Sequence, residues 1–187
     1  MVRVLATSAM IVIMVMLMPV LKRRISADTY RRFCAAAFAF YILLYLYTTL
    51  LSRTPAKTIQ TEFEWFRACR RSFKLEDDIV GTIRRLFTEG PPAGIHLVST
   101  ELLEGVLLNI LLYVPMGYLL PMVFGRLREK GFWYVLLIGF TVSLLTELTQ
   151  LISRLGWFDM DDIMNNVAGT CMGMMIFRWQ NRVHDRK

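Results

Sequence analysis

Acidic and amide side chains recur at helical spacing within apolar sequence near the C-terminal end of the chain. The first set occupies positions i, i+3 and i+7 and comprises Glu147, Gln150 and Arg154. The second set occupies positions i, i+3, i+7, i+10 and i+14 and comprises Asp159, Asp162, Asn166, Gly169 and Gly173. Because an α-helix has about 3.6 residues per turn, each set is predicted to lie along one helix face. Carboxylates on such a face could exchange protons, and amides could orient a polar ligand.

The composition of the chain indicates a membrane protein. Hydrophobic residues make up 55% of the 187 residues, and the mean hydropathy is +0.44. Five apolar runs reach or approach the length that crosses a bilayer, and they cover residues 4–21, 33–52, 102–124, 132–152 and 163–177. Ionisable groups inside such runs are energetically unfavourable and normally face the interior of a helical bundle, so they are candidate functional residues.

These runs predict an all-α fold, a polytopic bundle of about five transmembrane helices. The whole chain, residues 1–187, is predicted to form a single membrane domain with an extracytoplasmic loop at 53–101. Apolar residues recur at helical spacing inside this loop, which predicts short interfacial amphipathic helices. Pro115 and Gly117 are expected to interrupt or kink the third run. Gly169 and Gly173 are four residues apart, a spacing typical of close packing between membrane helices.

Basic residues beside the runs predict the orientation of the chain. Five Lys or Arg residues follow the first run within 22–32, three lie between the third and fourth runs, and four follow the fifth. Since short cytoplasmic connections are enriched in Lys and Arg, the N-terminus is predicted to be outside and the C-terminus in the cytoplasm. The protein is accordingly predicted to be a multi-pass protein of the cytoplasmic membrane.

With this orientation, polar residues from four separate segments lie near the outer leaflet, which predicts one outward-facing pocket. The residues expected to bind a ligand there are Arg53, Asn109, Gln150, Arg154, Asp159 and Asn166. Arginine would bind phosphate or carboxylate groups, and the amides would orient polar groups. Asp161 is two residues from Asp159 and is therefore expected to face water. Two structural alternatives are that Asn109 only bridges helices and that Glu147 only pairs with Arg154.

Three segments of the C-terminal half resemble the VanZ-like family of bacterial membrane proteins. They are NILLYVPMGYLL at 109–120, ELTQ at 147–150 and DMDDIMNNVAG at 159–169. In order, they match the family pattern of an Asn-to-Pro-x-Gly span, then Glu-x-x-Gln, then Asp-x-x-Asp-x-x-x-Asn-x-x-Gly. The resemblance covers residues 105–177 and implies a bacterial membrane protein. The founding member of the family is associated with teicoplanin resistance, and most relatives have no assigned substrate.

Three functional hypotheses follow. In the leading one, the pocket binds or modifies an anionic, lipid-linked envelope molecule and thereby alters susceptibility to lipoglycopeptides. The second is a membrane-embedded hydrolase or transferase that acts on lipid head groups, with Glu147 and Asp162 as its acid–base pair. The third is a non-catalytic scaffold for envelope enzymes, in which the polar residues only lock the helices together.

The expected partners are membrane lipids and a lipid-linked cell-wall precursor or glycopeptide, and the oligomeric state is left open. Nucleic acid is not an expected partner, because the sequence has no basic stripe with interleaved aromatic residues. No cofactor and no resident metal are expected from the residue spacing. Mg²⁺ held by three carboxylates is the weaker alternative.

Overall fold

The computed structural model describes residues 13, 17–55, 61–62, 100–156 and 158–185, and most of these residues are helical. The helices are α1 (17–24), α2 (Ala27–Leu46), α3 (Thr100–Val123), α4 (Gly125–Lys130), α5 (Phe132–Ile152) and α6 (Met160–Asp185). Helix α2 continues into a π-helical turn at Tyr47–Leu51. Two short strands, β1 (Thr61–Glu62) and β2 (Phe158–Asp159), pair in parallel. The predicted all-α fold class is confirmed.

Three helices in the described part of the chain are long and apolar enough to cross a membrane. They are Ala27–Leu51, Gly105–Val123 and Phe132–Ile152, and they correspond to the second, third and fourth predicted runs. The fifth run falls inside α6, which is not among the three, and most of the first run lies outside the described residues. The predicted number of about five spans is therefore not confirmed. The amphipathic helices predicted in the loop also lie outside the described residues.

Local sequence sets both ends of α2 and thereby the position of Arg53. At the start of the helix, the Ser26 hydroxyl accepts a hydrogen bond from the Thr29 N–H (3.3 Å), which satisfies a donor that has no partner within the helix. At the other end, the Ser52 N–H donates to the Tyr47 carbonyl (2.8 Å) and closes the π-helical turn. Arg53 is therefore the second residue beyond this turn.

Helices α3 and α6 form the most extensive helix pair in the bundle. A Cβ atom at Gly117, Gly169 or Gly173 would collide with a backbone carbonyl of the facing helix. Because these residues have no side chain, the two backbones meet directly, as in other small-residue contacts of membrane helices. We call this contact the glycine seam. Helix α3 runs through Pro115 without a break, so the expected interruption of the third run does not occur. A proline inside a helix removes one backbone hydrogen bond, which membrane helices tolerate where neighbouring helices pack against them.

The interior of the bundle is rich in tyrosine, whereas its outer surface is apolar. The buried tyrosines are Tyr41, Tyr45, Tyr113 and Tyr118. The rings of Tyr45 and Tyr113 pack edge to face with their centroids 5.5 Å apart, a favourable geometry for aromatic pairs. The large apolar side chains that are more than half exposed include Leu43, Trp133, Leu137 and Ile152. Such a surface is typical of helices that face lipid.

Candidate functional site

Polar side chains meet at one end of the bundle, where α2 and α5 end and α6 begins. Six residues form this group, which we call the polar site: Arg53, Asn109, Glu147, Gln150, Asp159 and Asp162. Each comes from a helix end or from the first half of α3. Residues that are nearly 110 positions apart in the chain are thereby brought together.

Gln150 connects the end of α2 to Arg53. Its amide nitrogen donates to the Thr49 carbonyl (3.0 Å), and its amide oxygen accepts from Nη1 of Arg53 (3.4 Å). The Thr49 carbonyl lies in the last turn of its helix, where carbonyls have no partner within the helix. Gln150 is 2% exposed, so a buried side chain orients both groups. The glutamine therefore holds Arg53 at the end of α5.

Gly156 makes room for Arg53 and was not predicted from the sequence. A Cβ atom at this position would lie 2.6 Å from Nη1 of Arg53 and 3.0 Å from the amide oxygen of Gln150. The guanidinium therefore passes directly over the Gly156 backbone. The sequence signal for this role is a glycine in the short turn between two polar helix faces. Ordinary connections also contain glycine, so this signal does not distinguish the role of Gly156.

Glu147 and Asp159 join the end of α5 to the start of α6. The Glu147 carboxylate is 3% exposed and accepts a hydrogen bond from the Asp159 N–H (3.2 Å). The Asp159 carboxylate in turn accepts from the Asp161 N–H (2.8 Å), so Asp159 caps the N-terminus of α6. The expectation that Asp161 faces water is wrong, since this residue is 6% exposed. The expectation assumed that both residues lie on one helix, but α6 begins at Met160. Asp159 precedes it, so the helical angle between Asp159 and Asp161 does not apply.

Asp162 links α6 to α3. Its carboxylate accepts a hydrogen bond from the Asn109 side-chain amide (2.5 Å). Burial, together with the negative charges of Asp159 and Asp161, raises the pKa of Asp162 to about 6, although Arg53 and the Asn109 hydrogen bond lower it. The site therefore holds a carboxyl group that is ready to gain or lose a proton near neutral pH.

Asn166 lies one turn further along α6 and belongs to a deeper layer. Its side-chain nitrogen donates to the Ser143 hydroxyl (2.9 Å), and its side-chain oxygen is buried without a hydrogen-bond partner. The Tyr45 hydroxyl lies 2.5 Å from both the Tyr113 hydroxyl and Oγ1 of Thr146. Sequence reasoning placed Asn166 in the pocket and missed these hydroxyl groups. The spacing of Ser143, which is four residues before Glu147, was the signal that could have identified it.

Arg154 does not join the polar site. Helix α5 ends at Ile152, so the seven-residue spacing from Glu147 no longer places the two side chains on one helix face. Arg154 adopts a positive φ of 57° in the turn that follows and is exposed. The prediction that it shares a face with Glu147 and Gln150 is therefore wrong. Arg53 is the arginine that contacts Gln150.

The side chains of the polar site offer hydrogen-bonding amides, one guanidinium group and carboxyl groups. Among the described residues, no group of three or more His, Cys, Asp or Glu side chains is arranged to hold a metal ion. The chemistry visible in the structure is therefore that of one arginine, two amides and three carboxyl groups. Anion binding, polar-group orientation and acid–base transfer are the functions that these groups perform in proteins.

A profile of the VanZ/LLP1 family matches residues 37–181, which is more than half of the chain, and the chain belongs to this family. The match covers every residue of the polar site. The family consists of membrane proteins and is linked, at the family level, to teicoplanin resistance. No curated protein and no solved structure matches the chain.

Proposed function

We propose that this VanZ/LLP1 family protein binds the phosphate-bearing head of a lipid-linked envelope component at the polar site. The observation that carries the proposal is the placement of Arg53. This residue is exposed, and its guanidinium is held over Gly156 by a hydrogen bond to Gln150. A guanidinium has five N–H donors, so a pre-oriented arginine with one such contact retains donors for a phosphate oxygen.

The neighbouring carboxyl groups determine how an anion could bind there. A phosphate placed beside Asp162 would repel its negative charge and favour its protonated form. Since burial and the neighbouring aspartates already raise the pKa of Asp162 to about 6, little further change is needed for the carboxyl group to be protonated at neutral pH. The protonated carboxyl would donate a hydrogen bond to the phosphate, and Asn109 would keep it in position. Binding is therefore proposed to take up one proton.

Apolar residues beside the site favour a lipid-linked ligand over a soluble one. Leu51, at the end of the π-helical turn, is 75% exposed, and Ile152, at the end of α5, is 80% exposed. Leu51 is two residues before Arg53, and Ile152 is two residues after Gln150. A ligand with its phosphate on Arg53 could place its hydrocarbon chain along these two side chains, which would bury apolar surface.

The test measures binding of a polyprenyl-phosphate probe to the purified protein in detergent, with the uncharged polyprenol as the comparison ligand. We expect Arg53→Gln to weaken binding of the phosphate probe by tenfold or more, on the order expected for a lost charged contact. Arg154→Gln is the matched control, because it removes the same charge from a nearby exposed arginine outside the site. Equal losses in the two variants, or equal binding of the uncharged polyprenol, would overturn the proposal.

Binding is proposed to alter susceptibility to teicoplanin. A susceptible bacterium that expresses the wild-type chain should require more teicoplanin for growth inhibition than one that carries an empty vector. The Arg53→Gln variant should lose this difference while it accumulates in the membrane as the wild type does. A normally accumulating variant that still protects the cells would separate the drug phenotype from the polar site.

A second candidate function, a hydrolase or transferase acting on lipid head groups, rests on the different environments of two carboxyl groups. Glu147, near the end of α5, accepts from the backbone N–H of Asp159 in β2, whereas Asp162 accepts from the Asn109 side chain of α3. Unequal environments of this kind separate the proton affinities of an acid–base pair. The test incubates the phosphate probe with the protein and measures inorganic phosphate or head-group release. Catalysis would be established if the wild-type protein releases phosphate or head group and the Asp162→Asn variant binds the probe without releasing it. If the wild-type protein binds the probe without any release, the first function is favoured.

A further inference from the structure

A cleft opens at the opposite end of the bundle from the polar site. It lies where α1 ends and α2 begins, next to the C-terminal turns of α3 and α6. Its lining residues are Pro19, Lys22, Arg23, Tyr30, Met122, Gln180 and Asn181. None of these residues contributes to the polar site. Two of them are cations, three carry other polar groups, and none is acidic.

Lys22 is oriented toward this cleft by a hydrogen bond. Its ammonium group donates to the side-chain oxygen of Asn181 (3.2 Å), and the side-chain nitrogen of Asn181 donates to the Phe177 carbonyl (3.0 Å). The amide is thus fixed at both ends, and it holds the ammonium group at the edge of the cleft. An ammonium group has three N–H donors, so Lys22 retains donors for a second acceptor.

Gln180 supplies a further donor because its acceptor atom is already engaged. The hydroxyl of the fully buried Tyr118 donates to the side-chain oxygen of Gln180 (2.5 Å). The remaining polar group of this side chain is its NH₂, which can only donate. The Tyr30 hydroxyl, at 3.8 Å from the Met122 sulfur, has a weak acceptor as its partner. The cleft therefore presents ammonium, guanidinium, amide and hydroxyl donors together.

We propose that this cleft binds the phosphate of an anionic phospholipid head group. A site with several donors, two positive charges and no carboxylate favours an anion. The surrounding surface favours a lipid over free phosphate, because Leu17 and Val20 of α1 are both more than half exposed beside the cleft and would contact acyl chains. Other basic residues at the same end, Arg31 and Arg32, add the positive potential that attracts anionic lipids.

The experiment measures lipid binding to the purified full-length protein by native mass spectrometry, using phosphatidylglycerol and the zwitterionic phosphatidylcholine as probes. The test variants are the double variant Lys22→Gln/Arg23→Gln and the single variant Gln180→Glu. The second keeps the size of the side chain and its acceptor for Tyr118, but it places a negative charge in the cleft. Arg24→Gln is the matched control, because it removes a neighbouring charge that does not line the cleft.

We expect both test variants to bind phosphatidylglycerol on the order of tenfold more weakly than wild type, and Arg24→Gln to bind it nearly as well as wild type. Phosphatidylcholine should bind weakly to all four proteins. Inorganic phosphate at millimolar concentration should not displace the lipid. An equal loss in Arg24→Gln would show diffuse surface attraction, and displacement by inorganic phosphate would show a free-phosphate site. Either result, or unchanged binding in Gln180→Glu, would overturn the proposal.

Discussion

Replacing Asp162 with Asn tests whether burial, rather than pairing with Arg53, dominates the energy of the polar site. The substitution removes the negative charge, and the amide oxygen of the new residue can still accept the hydrogen bond from Asn109. The structure places Asp159 and Asp161 on the same helix end, and both repel a charged Asp162. We therefore expect Asp162→Asn to be more stable than wild type at neutral pH.

The size and pH range of this effect follow from the pKa of Asp162. A rise from 3.8 in the unfolded chain to about 6 in the folded protein corresponds to about 3 kcal/mol at pH 7. The folded state binds this proton more tightly, so the stabilisation is complete below pH 3.8 and is lost as the pH rises through 6. The difference in unfolding free energy between variant and wild type should therefore be small near pH 4 and approach its full value at pH 7. The positive charge of Arg53 lowers the pKa of Asp162, and the value of about 6 already includes this effect.

Thermal unfolding in detergent, followed by tryptophan fluorescence between pH 4 and 7.5, measures this difference. Asp28→Asn makes the same chemical change at an exposed residue in the first turn of α2 and serves as the control for removing a carboxylate. The reasoning would be refuted if Asp162→Asn unfolded at a lower temperature than wild type at pH 7. That result would mean that the charged carboxylate is stabilised by its partners more than it is destabilised by burial.

Three other substitutions test the remaining features of the bundle. Gly156→Ala should displace the Arg53 guanidinium above it and weaken binding of the polyprenyl-phosphate probe about tenfold. The loss in unfolding free energy should be less than about 1 kcal/mol, because mainly the end of the flexible Arg53 side chain must move. Binding and melting curves measured on one preparation check both effects. Gly173→Ala should lower the free energy of unfolding by about 1–3 kcal/mol, because the new methyl group collides with the backbone of α3. Gly105→Ala, whose new methyl group meets no atom within 4 Å, should be neutral or slightly stabilising. Equal melting temperatures of the two variants would contradict the glycine seam. In a variant without native cysteines, a cysteine at position Arg154 should react with an impermeant thiol reagent in whole cells and one at Arg24 should not, whereas the reverse labelling would place the polar site in the cytoplasm.

Helical periodicity predicted much of the polar site, because most of its members are on regular helices. Gln150 and Glu147 share a face of α5, and Asp162 is correctly placed near Asn109 although 53 residues separate them. Arg154 was misplaced because the end of α5 depends on a turn with positive φ, which nothing in the local pattern indicated. A helical wheel assumes that the helix continues to Arg154, whereas the helix ends at Ile152.

The hydroxyl groups beneath the site could not be predicted because their neighbours are apolar. Tyr45 occupies an ordinary position in an apolar run, and its contacts with Tyr113 and Thr146 depend on how three helices cross. Gly156 was missed for a related reason. Its role is visible only once Arg53, which lies 103 residues earlier in the chain, is seen to pass over it.

The glycine seam divides the polar site into a fixed half and an adjustable half. Asn109 and Asp162 are carried by α3 and α6, whose backbones are in direct contact at Gly117, Gly169 and Gly173. Sliding either helix would drive one backbone into the other, so this half acts as a rigid template. Arg53 and Gln150 lie at the free ends of α2 and α5, outside the seam. An induced fit to ligands of different length would therefore take place at these two helix ends, with Asn109 and Asp162 as the stationary reference.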